Sequence, residues 1–517
     1  MGLWSAYFLA KIMLYALGYM DFSPWMNLAF AVFTALAPKN SRQRFAKNII
    51  AVPLGILLLY HDSWLPPITQ AVLQLRNLRD FSSAYLWELA ARIVSWKLLF
   101  ELALMLALYA LARRKLRMST FVFIGIFALM LAPHGQLWPG AAPSTAAALA
   151  TTGQAAVAID TSPQALDARL AQFYVEQKRT QTHFNRPSAQ DMPYDILLLH
   201  VCSLSWDDLK SLHLAPDAFF GRFEVVLSSF NSAASYSGPA AIRLLRGACG
   251  QTPENKLYDA AGNECLVMDG LQNAGFEAHW LMNHDGHFGN FFGDVRDRGG
   301  LSVALENTAG ATPAQLSFDG TRIYSDYSVL SRWWGKRQSN PVARVALYYN
   351  TISLHDGNRV IGAGRDSSYG ARWAQLSSDI SRFLDDLRKS GRRVIVVFVA
   401  EHGAALRGDR RQISGLREIP TVAIAHVPVA IALVNTGGTQ QAPQQRIDDP
   451  VSYRAVSELL SRFIATSPYE KPDTGLDSYV QGLPRAEFVA ENNGTTVVQV
   501  GAGYLMRSPD GAWSTLE

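Results

Sequence analysis

Apolar residues are concentrated in the first 133 residues, and this concentration is the feature that most limits how the chain can fold. The whole chain of 517 residues is 49% hydrophobic and 17% charged, whereas about 25% charged residues is usual in soluble domains. Because the apolar runs recur far past roughly the first 30 residues, a cleaved signal peptide does not account for them. We predict an N-terminal transmembrane domain, residues 1–133, with four to five helices. The apolar runs are 3–20, 25–37, 48–60, 96–112 and 118–133.

Lysine and arginine clusters predict the orientation of these helices. One loop is predicted to contain Lys39, Arg42, Arg44 and Lys47, and another, residues 113–117, carries four basic residues. Loops with such an excess are normally cytoplasmic. With five spans, the N-terminus is then inside and the chain after residue 133 is outside. Residues 62–95 also lie outside in this arrangement, and their mixture of Leu, Trp, Arg and Glu predicts an amphipathic helix on the membrane surface.

Two further regions follow the apolar domain. Residues 134–164 are rich in Ala, Thr, Ser, Pro and Gly, which predicts a flexible linker. In residues 165–517, apolar runs alternate with helical patterns, which predicts an α/β domain with a mostly parallel sheet covered by helices. The predicted strands are 195–201, 276–282, 343–349, 393–399 and 428–434, the predicted helices are 371–390 and 449–466, and a terminal hairpin is predicted at 501–513. The net charge of +4 is too small to indicate binding of nucleic acid.

Ser237 is the candidate nucleophile. It precedes Gly238 and Pro239, and proline is favoured in the first turn of a helix, here predicted at 240–246. A helix N-terminus presents unpaired N–H groups and favours a phosphate. The alternative for Ser237 taken alone is an ordinary N-capping serine. Tyr236, the residue before it, is a second candidate catalytic residue.

Four of the predicted strands lead to residues that can carry chemistry. These residues are Cys202, His284-Asp285, His355-Asp356 and Glu401-His402. Ligands bind at the carboxyl ends of the strands in open parallel sheets, so we predict one shared site. The donor atoms offered by Cys202, Ser237, Glu401 and His402 are S, O and N, a mixture that favours zinc in a four-coordinate site. The alternative for Glu401-His402 is a solvated turn.

Cys202 and Arg417 each have a second interpretation. The three cysteines, Cys202, Cys249 and Cys265, allow three single pairings, and cysteines outside the membrane usually pair. Cys249 and Cys265 are close in sequence, and their pairing would leave Cys202 free for a metal. A cysteine buried in a strand for packing alone is an equal alternative. Arg417 follows the predicted site on a loop, where it could hold phosphate oxygens or be a surface charge.

Three segments resemble the alkaline phosphatase superfamily, and within it the membrane-bound phosphoethanolamine transferases. They are NSAASYSGPAAIRLLRGACG at 231–250, LLLHVCSLSWDDL around Cys202 and AEHGAALRGD around Glu401. The match is closer still to the cellulose phosphoethanolamine transferases encoded with bacterial cellulose synthases. The resemblance covers essentially the whole chain.

This resemblance implies a zinc-dependent enzyme of the bacterial inner membrane with its catalytic domain in the periplasm. It implies transfer of phosphoethanolamine from phosphatidylethanolamine to cellulose through an ester on the serine, with cellulose synthase subunits as partners. The implied site has His355 near the reacting phosphate, a Cys249–Cys265 disulfide, and one zinc ion held by Cys202, Ser237, Glu401 and His402. The superfamily usually has Asp or Glu where Cys202 stands, and often a second set of metal ligands, so this departure speaks against two metals here.

Two other functions are compatible with the sequence. A phosphoethanolamine transferase acting on lipid A would use the same chemistry on a different acceptor. A non-catalytic membrane scaffold subunit of a polysaccharide synthase is the second, although the full ligand set argues against an enzyme that has lost its activity. A sulfatase is excluded, because its nucleophile motif has Arg four residues after the nucleophile, and position 241 is Ala.

Overall fold

The computed structural model divides the chain into two units, each described here by itself. The helical unit comprises Met1–Ala156 with Gly408–Ser414, and the sheet unit comprises Val157–Arg407 with Gly415–Glu517. The structure describes residues 2–17, 20–36, 40–63, 82–83, 85–87, 96–131, 159–188, 190–362, 368–409, 411–437, 443–470 and 475–516. Most of the predicted linker and most of the predicted amphipathic helix at 62–95 lie outside these residues.

Each of the five predicted apolar runs forms a helix in the helical unit. Among the described helices, Ser41–Asp62, with 22 residues, is long and apolar enough to cross a membrane, whereas Met118–Leu131 is apolar but shorter. The first three of these helices and the last share a core that contains buried Phe8, Phe30 and Ile126. The described helices of this unit are Trp4–Ala16, Pro24–Ala35, Ser41–Asp62, Trp96–Ala112 and Met118–Leu131.

The helix at Ser41–Asp62 begins earlier than the predicted run at 48, which corrects the predicted loop. Arg42, Arg44 and Lys47 therefore lie on its first two turns. Lys47 Nζ donates to the carbonyl oxygens of Thr34 and Leu36, at 3.0 and 2.8 Å. These carbonyls belong to the end of the preceding helix, where backbone oxygens have no helical partner. A basic side chain at this end of a helix can donate to the free carbonyl oxygens, and it is also attracted by the negative end of the helix dipole.

A buried ion pair joins three helices of the helical unit. Lys11 is 1% exposed, and its Nζ donates to Asp62 Oδ2 at 2.6 Å, to Asn27 Oδ1 at 2.9 Å and to the carbonyl oxygen of Leu58 at 3.3 Å. Asn27 Nδ2 also donates to Asp62 Oδ2, at 2.6 Å. Buried charges are tolerated when they are paired and hydrogen-bonded. The charge of Lys11 inside its apolar run is therefore fully partnered.

The sheet unit is built on a seven-stranded sheet with helices packed against it. Its strands are β1 Asp195–Val201, β2 Val225–Asn231, β3 Glu277–Met282, β4 Val345–Thr351, β5 Val394–Ala400, β6 His426–Val434 and β7 Gln445–Ile447. Their order across the sheet is β7-β2-β6-β5-β1-β4-β3. The sheet is mostly parallel, as predicted, but β6 runs antiparallel to both β5 and β2. Strands β1, β4 and β5 are buried along their whole length, which accounts for their continuous apolar sequences.

The remaining elements cover this sheet or extend it. The helix Tyr369–Lys389 is capped by Ser368, whose hydroxyl accepts from Ala371 N, and it buries Ile380, Phe383 and Leu384 on one face. The other α-helices are Pro163–Lys178, Trp206–Ser211, Asp217–Phe220, Ser237–Leu245, Glu254–Leu257, Val267–Asn273, Phe291–Gly293, Asp326–Ser339, Val422–Ala425, Tyr453–Ala465 and Asp477–Val480, with short helices of other types at Asn263–Cys265, Phe288–Asn290 and Asp294–Arg298. A three-stranded sheet comprises Pro313–Leu316, Arg322–Tyr324 and Arg359–Val360, and a four-stranded sheet comprises Val489–Asn492, Thr495–Val500, Gly503–Arg507 and Trp513–Leu516.

Two local predictions for the sheet unit are confirmed. The terminal hairpin forms, with Gly503–Arg507 antiparallel to Trp513–Leu516, although two further strands extend it into a sheet. Cys249 and Cys265 form a disulfide. Cys202 remains a thiol and is buried.

Candidate active site

The sheet brings Cys202 and Glu401 to the same edge. Strands β1 and β5 are parallel neighbours, and Val201 pairs with Ala400 at their ends. Each ligand candidate is the next residue along its strand, and the backbone N–H of Glu401 donates to the carbonyl oxygen of Val201 at 2.9 Å. Two of the residues that were predicted to share one site therefore lie next to each other at the end of neighbouring strands.

Ser237 arrives at this edge from β2, on the other side of β6. The turn after β2 is held by Asn231, whose Oδ1 accepts from Ala233 N at 2.8 Å and whose Nδ2 donates to the carbonyl oxygen of Val489 at 3.0 Å. Ala233 has φ of 55°, a left-handed conformation that costs a non-glycine residue free energy and occurs often at functional sites. Ser237 is then the first residue of the helix Ser237–Leu245, with the unpaired N–H groups of the first turn beside it.

Three side chains converge with Ser237. The Ser237 Oγ lies 3.2 Å from Cys202 Sγ and 3.3 Å from His402 Nε2. Ligand atoms of Cys202, Glu401 and His402 all lie within 4.8 Å of one another, and all three residues are buried. The four predicted ligands thus form one cluster. Ser237 is the first residue of its helix, and Tyr236 is the N-cap. Glu401 and His402 are buried, so they do not form a solvated turn.

The cluster can bind a cation because one carboxylate oxygen of Glu401 has no hydrogen-bond partner within the described part of the chain. Glu401 Oε2 is buried and has no hydrogen-bond partner among the described residues. An unpaired buried carboxylate oxygen is costly, and a metal ion bound between Glu401, Cys202 and His402 would remove that cost. Mixed S, N and O donors are the set that zinc prefers.

Protonation of the cluster follows from its burial. Burial, with a smaller contribution from Glu401, raises the pKa of the Cys202 thiol to about 12. Burial also raises the pKa of Glu401 to about 7 and holds the pKa of His402 well below its usual range. His402 Nδ1 donates to the carbonyl oxygen of Gly403 at 2.9 Å. This bond fixes the tautomer, so the lone pair of Nε2 faces Ser237 and Cys202.

Arg417 is a buried side chain of the site and not a surface charge. It is 6% exposed, and its Nη1 donates to Ser203 Oγ at 3.3 Å. The guanidinium carbon lies 5.1 Å from the ring centre of Tyr236, and the Tyr236 hydroxyl donates to Glu418 Oε1 at 2.8 Å. Arg417 Nε is buried and lacks a partner in the part of the chain that the structure describes. A planar guanidinium with a free N–H suits an anion with several oxygens.

His355 follows β4 and lies against the same site. Its Nδ1 donates to the carbonyl oxygen of Asp356 at 2.8 Å, which leaves Nε2 with its lone pair. Burial, aided by the positive charge of Arg417, lowers the pKa of His355 to about 4. The ring of Phe318 lies 4.9 Å away, centre to centre. His355 is therefore a neutral imidazole able to accept a proton.

One predicted strand end reaches the cluster only through another residue. His284 follows β3 and bonds to Asn350 of β4, and Asn350 in turn bonds to Glu401. Sequence reasoning included His284 but missed Asn350. The signal available for Asn350 was a polar residue at the end of an otherwise apolar strand, which does not by itself separate structural from functional roles.

Comparison with known sequences decides the family. A model of the N-terminal domain of cellulose biosynthesis protein BcsG matches residues 4–131, and a model of its C-terminal domain matches residues 150–513. This chain belongs to the BcsG family. The BcsG proteins of Escherichia coli K12 and Salmonella typhimurium LT2 are each 36% identical to it, over 99% of this chain and 95% of theirs. The family assigns the chain to cellulose biosynthesis.

The sheet unit has the fold of the alkaline phosphatase superfamily. A crystal structure of a protein of that superfamily from Vibrio parahaemolyticus superposes with a TM-score of 0.50 and covers 68% of this chain and 88% of its own. The two are 15% identical, so the likeness concerns the fold. It confirms the predicted fold class for the sheet unit, and it leaves the chemistry of the site to be argued from its own residues.

Proposed function

We propose that this BcsG-family protein is a zinc-dependent phosphoethanolamine transferase that moves phosphoethanolamine from phosphatidylethanolamine to glucose hydroxyls of cellulose. The observation that carries the proposal is the position of Ser237. Its hydroxyl stands at a helix N-terminus and within 3.3 Å of two candidate metal ligands, Cys202 and His402. A nucleophile needs this combination of activation and phosphate binding at one atom.

One zinc ion would be held by Cys202, Ser237, Glu401 and His402. When bound, it supplies a Lewis acid that lowers the pKa of the Ser237 hydroxyl. The unpartnered Glu401 Oε2 and the fixed tautomer of His402 support this ligand set. One complete set is visible among the described residues, which supports a single ion.

The first half of the reaction loads the serine. Ser237 Oγ attacks the phosphorus of phosphatidylethanolamine, an Oγ–P bond forms, and the bond from phosphorus to the diacylglycerol oxygen breaks. The proton lost by Ser237 ends on diacylglycerol. Phosphoryl transfer requires mainly positioning and stabilisation of charge on the phosphate oxygens. Arg417 Nε and the N–H groups of the helix at Ser237 are the donors available for those oxygens.

The second half of the reaction unloads the serine onto the acceptor. A glucose hydroxyl attacks the phosphorus, the Oγ–P bond breaks, and the acceptor proton returns to Ser237. His355 Nε2 keeps its lone pair, because Nδ1 is bound to the carbonyl oxygen of Asp356, and it is the candidate group that takes that proton and passes it on. Tyr236 orients Arg417 by stacking, while its own hydroxyl is bound to Glu418.

Two other properties of the chain support the proposed donor and acceptor. The apolar helices support a multi-pass protein of the bacterial inner membrane, where phosphatidylethanolamine is at hand, with the sheet unit in the periplasm. Relatives that are 36% identical carry the name cellulose biosynthesis protein, which supports cellulose as acceptor and subunits of the cellulose synthase complex as partners.

Trapping of the loaded serine tests the reaction. Full-length protein in detergent, incubated with phosphatidylethanolamine and no acceptor, should gain the mass of one phosphoethanolamine group on Ser237. Ser237→Ala should lose both the adduct and turnover while keeping its melting temperature. Ser235→Ala is the matched control, since Ser235 is a buried serine of the same segment. An adduct on Ser235 or Ser232 would reject the choice of nucleophile.

Products made in cells test the acceptor. Cells with Ser237→Ala should make cellulose without phosphoethanolamine and keep lipid A unchanged, as measured by solid-state NMR of the polymer and mass spectrometry of the lipid. If phosphoethanolamine were lost from lipid A but retained on cellulose, lipid A would be the acceptor instead. Cellulose that keeps its phosphoethanolamine, together with unchanged lipid A, would favour a scaffold without catalysis.

A further inference from the structure

Asn350 connects the candidate metal cluster to a histidine on a different strand. It is fully buried at the end of β4. Its Nδ2 donates to Glu401 Oε1 at 2.5 Å and to the carbonyl oxygen of His200 at 3.3 Å, and its Oδ1 lies 2.8 Å from His284 Nε2. Every polar atom of this amide is therefore engaged.

The direction of each hydrogen bond that links His284, Asn350 and Glu401 is fixed. The backbone N–H of Gly286 donates to His284 Nδ1 at 3.1 Å, so the proton of the neutral ring is on Nε2 and is donated to Asn350 Oδ1. Burial lowers the pKa of His284 and keeps the ring neutral. An inverted amide would place its oxygen against two acceptors and its NH₂ group against a donor. His284 thus allows Asn350 one orientation, with its NH₂ group toward Glu401.

The two oxygens of Glu401 have different surroundings as a result. Oε1 accepts from Asn350 and lies 3.3 Å from His200 Nδ1. Oε2 lies 3.9 Å from His402 Nε2 and has no hydrogen-bond partner among the residues described. One oxygen is held by the protein, and the other is left for the cluster of Cys202 and His402.

We propose that Asn350, oriented by His284, is a positioning residue that limits Glu401 to one metal-binding oxygen and thereby sets the affinity of the site for zinc. Partners behind a ligand orient it and are commonly worth about 10–100-fold in metal affinity. The inference rests on the zinc site of the proposed function, but not on the substrate or on the transfer reaction.

The backbone around Asn350 gives a reason to expect an effect on the metal and not only on the fold. Asn350 pairs with His200 of β1 and with Met282 of β3 through the sheet. Those main-chain bonds do not depend on the side chain. A variant that keeps the size of the side chain can therefore leave the sheet intact while changing what Glu401 contacts.

Zinc affinity of the full-length protein in detergent tests the proposal. In Asn350→Asp a donor is replaced by a carboxylate oxygen facing Glu401, and we expect the zinc Kd, measured by competition with a chelator, to rise about 10–100-fold. Absorption of the Co²⁺-loaded protein should also change, because its d–d bands report ligand geometry. His284→Leu should produce a smaller rise. His284→Gln, which can still donate to Asn350 Oδ1, should recover most of the wild-type affinity.

Asn492→Asp is the matched control. Asn492 is a buried asparagine whose Nδ2 donates to Glu418 Oε2 at 3.3 Å, a glutamate outside the candidate ligand set. The Asn492→Asp variant should lower the melting temperature of the zinc-free protein, as Asn350→Asp does, but its zinc Kd and Co²⁺ spectrum should be unchanged.

The outcomes separate this inference from the proposed function. A wild-type zinc Kd and Co²⁺ spectrum in folded Asn350→Asp would overturn the positioning role while leaving the zinc site in place. Equal effects of Asn350→Asp and Asn492→Asp on the Kd would also overturn it, since both would then reflect loss of fold. If the wild-type protein bound no zinc, the proposed function itself would fail.

Discussion

The helical unit and the sheet unit both bury charge, but they satisfy it differently. Lys11 Nζ donates to Asp62, to Asn27 and to a backbone oxygen, so all of its hydrogen-bond partners are supplied by the protein. In the sheet unit, Glu401 Oε2 and Arg417 Nε are buried without a partner among the described residues. The first arrangement holds helices together, whereas the second leaves two buried polar atoms available to a bound group.

This difference supports a binding site at the cluster, where the atoms without partners in the described part of the chain adjoin the candidate metal ligands. Leaving a buried polar group unpaired costs about 1–3 kcal/mol, and more for a charged group. Glu401 Oε2 and Arg417 Nε are an acceptor atom and a donor atom without partners among the described residues, which matches a cation and an anion. Zinc and a phosphate group have those charges. The complete network at Lys11 offers no such opening.

Loss of one metal ligand should have the largest effect. Wild-type protein should hold about one zinc per chain, and Cys202→Ala should lose most of it, because the remaining N and O donors bind zinc more weakly than the full set. Metal analysis of purified protein measures this. Two tightly held zinc ions in the wild type, or full retention in the variant, would remove the contrast between the two units.

Removal of one partner from the complete network should be nearly as costly, but to stability. Lys11→Met leaves Asp62 buried without its ion pair, and we expect a loss of about 3–5 kcal/mol in the free energy of unfolding. The helical circular dichroism signal during melting would measure it. Replacing Lys11, Asn27 and Asp62 together by apolar residues should restore most of the loss. The zinc content should stay at the wild-type value. A drop in zinc content would contradict the assignment of a purely structural role to the Lys11 network.

Substitution of the unpaired donor should affect turnover. Arg417→Gln should lower kcat by about 100–1,000-fold, the typical effect of removing one donor to transition-state charge. Arg417→Lys should recover only part of it, because a lysine lacks the planar fork. Arg337→Gln is the control. Arg337 is a buried arginine whose side chain is bound to Asp195 and to backbone oxygens, so its loss should cost stability and leave kcat of the folded protein unchanged.

The disulfide should have the smallest effect. Cys249→Ser with Cys265→Ser opens a loop with a sequence separation of 16, which typically costs about 2–4 kcal/mol. The melting temperature of the sheet unit should fall, while zinc stays bound. Zinc loss in this double variant would show that the bond shapes the metal site as well as the fold.

Sequence reasoning succeeded where local pattern and burial coincide. The bounds of strand β1 were predicted to the residue, because a short continuous apolar run is typical of a strand that is buried on both faces of a sheet. Strand β2 was missed, since Ser228 and Ser229 interrupt its apolar run. Ser228 Oγ donates to the carbonyl oxygen of Ile447 at 2.9 Å, a partner that lies far along the chain. The antiparallel direction of β6 was also beyond reach, because a buried strand has the same pattern in either direction.

The site shows the same division. Cys202, Ser237, Glu401 and His402 could be chosen as candidates, because each lies at a strand end or helix start, and such positions can be located from the sequence. The burial of Arg417 could not be, since its sequence neighbours are those of a surface loop. Asn350 matters only through contacts with residues of two other strands, and no local pattern contains that information.

The three cysteines have a consequence for how the protein must mature. In an oxidising compartment Cys249 and Cys265 have to be oxidised, whereas Cys202 has to stay reduced to hold a metal. Thiol–disulfide exchange depends on access to the sulfur, and Cys202 is fully buried. Once β1 has joined the sheet, an oxidant cannot reach this sulfur. Correct oxidation is therefore a matter of timing, in which sheet assembly must precede oxidation of the chain.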